Sequence, residues 1–321
     1  MNTVTLSRVS TCAALMLLAA CAAAQDYPNK PIRIVVPFTP GGATDVVTRI
    51  VAQKLSEQFA RQVVTDNRGG AGGIVGAEFV AKAPADGYTL VMGTSGTHAI
   101  NVSLYPNLPY DPERDLAPVI LVNASPNVLA VHPSIPARTV KELITLAKSG
   151  KLHIAASTIA SVQHLLAEML NYATGVRMEV ITYKGGAQAA TDVAGGQVVL
   201  WSVLPAALPF IQSGRLRTLA VASDKRTSLL PQVPTMGEAG WPAVVGTAWN
   251  GVVAPAGTPK AIVDTLAAEI GRSLHAADVK DRFTASGMEA IGGTPEEFGA
   301  FLKAETAKWA KVIKAANIKV E

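Results

Sequence analysis

From residue 25 onward, short apolar runs alternate with segments in which apolar residues recur every three or four positions. Residues 32–37 predict a strand. Val47, Ile50, Val51, Leu55 and Phe59 fall on one side of a helix over 45–59. Strands at 63–65 and 88–92 bracket a helix at 73–82. Strands at 119–122 and 128–131 follow, separated by a Ser-Pro break. A helix over 139–148 takes Thr139 as its N-cap and Glu142 as the capping-box partner. A second series continues with strand 154–156, helix 162–173, strand 178–181, helix 187–194, strand 198–201, helix 204–212 and strand 219–222. The last third predicts a strand at 251–254 and helices at 259–274, 279–285 and 295–315. Strands alternating with helices over this length imply an α/β architecture with largely parallel sheets. In such sheets ligands sit beyond the carboxyl ends of the strands, so the loops that lead into helices are where binding chemistry belongs.

The 321 residues suffice for two domains with their own cores. No linker or repeat separates two halves, so the domains are expected to be interwoven. Hydrophobic residues make up 49% of the chain, yet no internal run approaches the ~20 apolar residues of a membrane helix. The N-terminus differs from the rest. Arg8 is the only charge in residues 1–24, an apolar stretch covers 12–20, and Ala22-Ala23-Ala24 precedes Gln25. That is the layout of a secretory signal peptide over 1–24, which places the mature protein in the periplasm. A second reading stays open: Leu18-Ala19-Ala20-Cys21 fits a lipobox, with Cys21 as a lipidated first residue that tethers the protein to the membrane. Both cysteines, Cys12 and Cys21, lie in this leader. The body therefore has no disulfide, thiol nucleophile or cysteine metal site. The net charge of +4 comes with no clustered basic run, and aromatics are only 5% and scattered. Nucleic-acid binding is discarded on that ground.

Six loops carry the candidate chemistry. Phe38-Thr39-Pro40-Gly41-Gly42-Ala43-Thr44-Asp45 joins the first strand to the first long helix. Its glycines allow a tight turn and close approach, Thr44 suits an N-cap, and the helix start beyond it can hold an anion. Alone, this is also an ordinary strand-to-helix turn. Asn67–Gly76 is glycine-rich, but Gly70, Gly72 and Gly76 are one residue too long for a dinucleotide fingerprint, and no Gly-Lys-Ser/Thr makes a P-loop. Gly93-Thr94-Ser95-Gly96-Thr97-His98 nearly spells a nucleophile elbow, with Thr97 where glycine is needed. Its hydroxyls read as hydrogen-bond donors. Ser157-Thr158-Ile159-Ala160-Ser161, Lys184-Gly185-Gly186 and Trp201-Ser202 complete the set. Together they form a cradle of neutral donors for an anion, which requires no cofactor.

Enzymatic chemistry has little support. His98, His132, His153, His164 and His275 show no metal-ligand spacing. Asp45 has the position of a helix-cap charge more than of a general base. His164 is expected to pack in its helix start, and Glu78, Glu168 and Asp192 to be solvated. A hydrolase using Ser95 and His98 is the enzymatic competitor.

Several segments together resemble the binding proteins of tripartite tricarboxylate transporters, the Bug family. They are Tyr27-Pro28-Asn29-Lys30-Pro31-Ile32-Arg33, Val36-Pro37-Phe38 with Pro40-Gly41-Gly42 and Asp45, Asn67-Arg68 with Gly70-Ala71-Gly72-Gly73, Asp86-Gly87-Tyr88-Thr89-Leu90, Leu108-Pro109-Tyr110-Asp111-Pro112 and Pro255-Ala256-Gly257-Thr258-Pro259. The resemblance runs from Tyr27 to Val320. It implies a type II periplasmic-binding-protein fold, with lobe I over 25–124 and 248–321 and lobe II over 125–247. Hinges are expected near residues 124–127 and 246–250. It also implies a cleft ligand, mostly a di- or tricarboxylate in this family, with some members taking acidic amino acids or aromatic and other small molecules; a di- or tricarboxylate or an aromatic carboxylate is the expectation here. Loop residues of lobe I, Phe38, Gly41, Gly42, Ala43, Thr44, Asp45, Thr94, Ser95 and Thr97, would face Ser157, Thr158, Ser161, Lys184, Gly185, Gly186, Trp201 and Ser202 of lobe II. The implied partners are membrane permease subunits, with a signalling partner as the alternative, and the receptor itself is expected to be a monomer. Two departures stand out. The 157–161 loop lacks the family's usual glycines, which makes close backbone approach harder and offers Ile159 as an apolar wall. After Gly196-Gln197-Val198 the family's acidic pattern is missing. The pocket is therefore expected to lack a carboxylate for a ligand ammonium, with Trp201 either stacking on an aromatic ligand or filling the core.

Overall fold

A computed structural model describes residues 27–150, 152–196 and 198–319. Its first strand, β1 (Ile32–Val36), is an apolar run because both of its faces are covered. Val35 packs into one core cluster, while Ile32 and Ile34 pack into another on the opposite face. α1 (Ala43–Phe59) buries Val47, Ile50, Val51 and Leu55, the stripe its spacing predicts. β2 (Val63–Asn67) and β3 (Thr89–Thr94) pair parallel with β1 on either side, and α2 (Ile74–Ala81) connects them. After β3 a π-helical turn, Gly96–Ile100, runs into the short α3 (Asn101–Leu104). Neither was expected from the apolar spacing.

β4 (Leu116–Val131) is one strand of 16 residues, where the Ser-Pro pair predicted two. Its residues 116–126 pair antiparallel with β9 (Thr247–Pro255). Residues 127–131 pair antiparallel with β7 (Val199–Val203) and β8 (Arg217–Val221). Pro126 is the last β4 residue paired with β9, so its missing N–H falls where the strand changes partners. β3 is antiparallel to β9, and β10 (Glu289–Ala290) is antiparallel to β4. In the second lobe β5 (His153–Ala156) lies parallel to β6 (Glu179–Thr182) and β7. The strand order is β2-β1-β3-β9-β4-β7-β5-β6. The sheets are mixed, not largely parallel. Within each series the strands are parallel, but the two strands that run between the lobes are antiparallel to their neighbours.

α4 (Val140–Ser149), α5 (Val162–Thr174), α6 (Gly186–Val193) and α7 (Leu204–Gln212) belong to the second lobe, and α8 (Lys260–His275), α9 (Ala277–Ala285) and α10 (Pro295–Ala315) to the first. Thr139 caps α4 as expected, accepting the Glu142 N–H at 3.1 Å. The Glu142 carboxylate reaches back to the Arg138 N–H, one residue beyond the N-cap that a capping box would engage. The chain therefore forms two α/β lobes joined by crossing strands, with a cleft between them. Among the described residues no helix is long and apolar enough to cross a membrane. The signal peptide expected over 1–24, with Cys21, lies outside the described residues.

Candidate functional site

The first loop turns out of β1 through Gly41, whose φ of +84° is the left-handed backbone that favours glycine. α1 then starts at Ala43 with Gly42 as its N-cap, so no side chain caps that end. Thr44, expected as the cap, lies inside the first helical turn. Asp45 holds the loop instead. Its Oδ2 accepts the Gly41 N–H at 2.9 Å and Arg49 Nε at 2.9 Å, and its Oδ1 accepts Asn67 Nδ2 at 2.9 Å. Asp45 is only 3% exposed. Burial alone pushes its carboxyl up, but the bonds from Arg49, Gly41 and Asn67 outweigh that and hold it below the ordinary carboxylate value. Asp45 is a cap-region charge with its donors already in place, not a general base.

A cavity of about 120 Å³ opens above this turn. Five of the six loops contribute to its wall, and the sixth reaches it only through the next residue, Val203. Phe38, Thr39 and Gly42 to Asp45 come from the first, Gly72 from the second, and Thr94, Ser95 and Gly96 from the third. The facing lobe supplies Ser157, Thr158, Ala160 and Ser161, then Lys184, Gly185 and Gly186, and finally Val203. α6 starts behind Gly185, again with no side-chain cap. Two glycine-headed helix ends with free N–H groups thus reach one cleft from opposite lobes. Their dipoles and the Lys184 ammonium favour an anion there. α5, by contrast, is capped by its own Ser161, which accepts the His164 N–H at 3.1 Å. Among the described residues, Lys184 is the only cationic and Asp45 the only acidic residue in the wall.

The lobes touch at glycines. A Cβ on Gly72 would lie 3.3 Å from the Ile159 carbonyl oxygen, and one on Gly96 would lie 3.1 Å from that of Ala160. The glycines absent from the 157–161 loop are therefore answered by glycines on the opposite face, and close approach is made after all. Ala160 takes the left-handed conformation at φ +59°. Ile159 points to Gly72 at the lip and does not form the cavity wall.

Four expected residues do not line the cavity. Gly41 shapes the turn behind it. Thr97 is fully buried, with its hydroxyl joined to the Thr94 N–H at 3.0 Å and to His98 Nδ1 at 2.8 Å. Ser202 is fully buried and donates to its neighbour, the Val203 carbonyl, at 3.1 Å. Trp201 is fully buried within the core, so it cannot stack on a cleft ligand in this arrangement. The loop reading missed Ser125, Gln163, Ala248, Trp249 and Asn250, which line the cavity from the crossing strands and the first turn of α5. Their signal was faint: Asn123, Ser125, Asn127 and Asn250 are polar residues inside apolar strands. They are buried and hydrogen-bonded, with Asn250 Nδ2 donating to Asn123 Oδ1 at 2.9 Å and Asn127 Nδ2 to the Gly246 carbonyl at 2.7 Å.

No catalytic pair forms from Ser95 and His98. Ser95 Oγ accepts the Trp249 N–H at 3.2 Å, while His98 Nδ1 is engaged by Thr97. Burial pushes both His98 and His164 down to about 4. His164 packs in its helix start, 7% exposed, and is outside the wall. Glu168, expected in solvent, is half-buried, and that burial raises its carboxyl. Among the described residues no three His, Cys, Asp or Glu side chains group as metal ligands.

The comparisons with known proteins agree with this geometry. The chain is 38% identical over 308 residues to Protein BugT of Bordetella pertussis, covering 95% of this chain and 94% of that one. A Rhodopseudomonas palustris protein, Rpa4515, solved with adipate, superposes with a TM-score of 0.87 at 38% identity, covering 92% of this chain and 99% of that one. MatC of the same organism, solved with bound malate, gives 0.85 at 31% identity, covering 89% and 100%. The profile of the tripartite tricarboxylate transporter family receptor matches residues 47–318. Because that match spans most of the chain, this protein belongs to the tripartite tricarboxylate transporter receptor family and is a solute-binding protein, not an enzyme.

Proposed function

We propose that this receptor captures a small organic anion, a di- or tricarboxylate or an aromatic carboxylate, in the interlobe cleft and delivers it to the permease subunits of a tripartite transporter. The observation that carries the reading is the pair of uncapped helix ends, at Gly42 and Gly185, that reach one cleft beside Lys184. An anion there gains backbone N–H bonds and helix-dipole attraction without a buried arginine. The adipate and malate found in the two Rhodopseudomonas proteins support the class. Phe38, Gly42, Ala43, Thr44, Asp45, Thr94, Ser95, Ser157, Thr158, Ser161, Lys184, Gly185 and Gly186 are the proposed contact surface, with Gly41 shaping the turn.

In this reading lobe I comprises 25–124 and 248–321, and lobe II comprises 125–247. The change of β4 partners after Pro126 supports that division. The crossing segments act as the hinge of a ligand-driven closure. The protein acts as a periplasmic monomer released or tethered through its leader.

Thermal unfolding of the mature body against a panel of carboxylates tests the proposal. A ligand at ~100 times its dissociation constant adds about 2.7 kcal/mol. For a chain of this size that is a shift of roughly 5–10 °C. A shift with one carboxylate class supports the reading, and no shift across the panel overturns it.

A further inference from the structure

α10 carries Phe298, Phe301, Glu305 and Trp309 at spacings of three and four, which puts the four side chains on one face of the helix. Trp249, from β9, packs against that face. Its indole meets the rings of Phe298 and Phe301 edge to face, with centroids 5.8 and 5.5 Å away. Packing of this kind holds the ring but does not choose which of its edges faces the helix. A hydrogen bond does: Trp249 Nε1 donates to Glu305 Oε2 at 3.0 Å, and Trp309 Nε1 donates to the same oxygen at 2.9 Å. Glu305 Oε1 accepts from Lys308 Nζ at 3.1 Å. Glu305 is only 8% exposed. A carboxylate taken that far from water is costly unless its bonds are made, and its loss would strand two buried indole donors.

One of these indoles belongs to the cleft wall and the other bears on the facing lobe. Trp249 lines the cavity, and its backbone N–H donates to Ser95 Oγ, a second wall group, at 3.2 Å. Trp309 reaches the second crossing segment. A Cβ on Gly246 would lie 2.9 Å from Trp309 Cη2, 2.9 Å from Val162 Cγ1 and 3.4 Å from Leu166 Cδ2. The bare backbone at Gly246 thus lets Trp309 and the start of α5 converge, and Val162 itself lines the cavity from the second lobe.

We propose that Glu305 is a positioning residue of the ligand cleft: by holding two indoles on one carboxylate oxygen, it fixes the Ser95–Trp249 wall of the first lobe against the start of α5 in the second. The proposal goes beyond the carboxylate reading and rests only on the cleft being the ligand site. Glu305 is not in the wall and touches no ligand. It acts by preorganisation, so its loss lets the closed arrangement loosen after the ligand has entered.

The test compares the mature body with Glu305→Leu, which removes the acceptor, and Glu305→Gln, which keeps one carbonyl oxygen for the two indoles. Melting temperature and far-ultraviolet dichroism set a temperature at which all three are folded. Titration calorimetry there with succinate, malate and adipate is expected to show Glu305→Leu binding at least ten-fold more weakly than the parent, and Glu305→Gln within three-fold. Amide hydrogen exchange of the ligand-free proteins, read by mass spectrometry, is the second arm. Glu305→Leu is expected to exchange at least ten-fold faster in peptides covering Trp249 and the start of α5, with β2 unchanged and Glu305→Gln like the parent. A purely structural role would lower stability and raise exchange throughout, with affinity within two-fold of the parent, and that result overturns the proposal. Unchanged exchange at Trp249 in Glu305→Leu also overturns it, whether or not an acid binds. A parent that binds none of the three acids overturns the carboxylate reading, and the exchange arm then decides the role of Glu305.

Discussion

A carboxylate at a helix start is legible in the sequence, but its role depends on what surrounds it. Asp45 was open to reading as cap, base or ligand group until Gly41, Arg49 and Asn67 were seen to occupy its oxygens. Its carboxyl titrates below the ordinary value of 3.8 in the folded protein. An acid depressed on folding stabilises the protein above its unfolded pKa, and that contribution fades as pH falls through the folded value. Asp45→Asn is therefore expected to cost about 1–3 kcal/mol at pH 7, and the gap from the parent in urea midpoints to narrow below pH 3.8. The buried histidines act in a different window. His98 and His164 are held down to about 4, against 6.5 when unfolded. Unfolded chains then bind more protons between those values, so stability is full above 6.5 and declines toward 4. The slope is at most about 1.4 kcal/mol per pH unit for each histidine. Urea titrations at steps from pH 7 to 4.5 check this, with His164→Leu flattening the decline.

At the scale of elements, caps and glycines explain why these helices start where they do. Ser161 accepts the His164 N–H and donates to the Thr158 carbonyl at 2.6 Å, which ties the cleft loop to α5. Ser161→Ala is expected to lower stability by about 1 kcal/mol and to weaken ligand binding, read by chemical denaturation and calorimetry on the same variant. The helices and most strands were legible because their apolar period is local. Thr139 announced α4, and the stripe of α1 announced its buried face. The π-turn after Ser95 was not legible, because its residues are held by contacts from elsewhere: the Tyr110 hydroxyl bonds to the Thr97 carbonyl at 2.6 Å, and α10 packs over it, with the Thr306 hydroxyl near the His98 carbonyl at 3.4 Å. Nor was the single long β4, since a Ser-Pro pair breaks most strands and is tolerated here only where the strand changes partners.

For the whole molecule, the fit of the two lobes is set by the bare backbone at Gly72 and Gly96, which meet Ile159 and Ala160. A side chain on Gly96 pushes directly on the Ala160 carbonyl. Gly96→Leu is expected to wedge the lobes apart, to weaken ligand binding at least ten-fold, and to keep the radius of gyration at its ligand-free value when ligand is added. Small-angle X-ray scattering with and without the panel's best ligand checks the last point. A variant that still contracts and binds normally would show that these contacts do not limit closure.

The sequence by itself determined the α/β class, nearly every helix, the loops that build the cleft and the family, because each rests on local periodicity, turn residues or short motifs. It also determined that Asp45 and Lys184 stand in those loops. Only the tertiary structure decided that Trp201 fills the core, that Ser125, Trp249 and Asn250 join the wall, and that Arg49 and Asn67 donate to the Asp45 carboxylate. Those outcomes depend on which residues far apart in the chain are brought together by the antiparallel crossing strands and the packing of two lobes, and no local pattern records them.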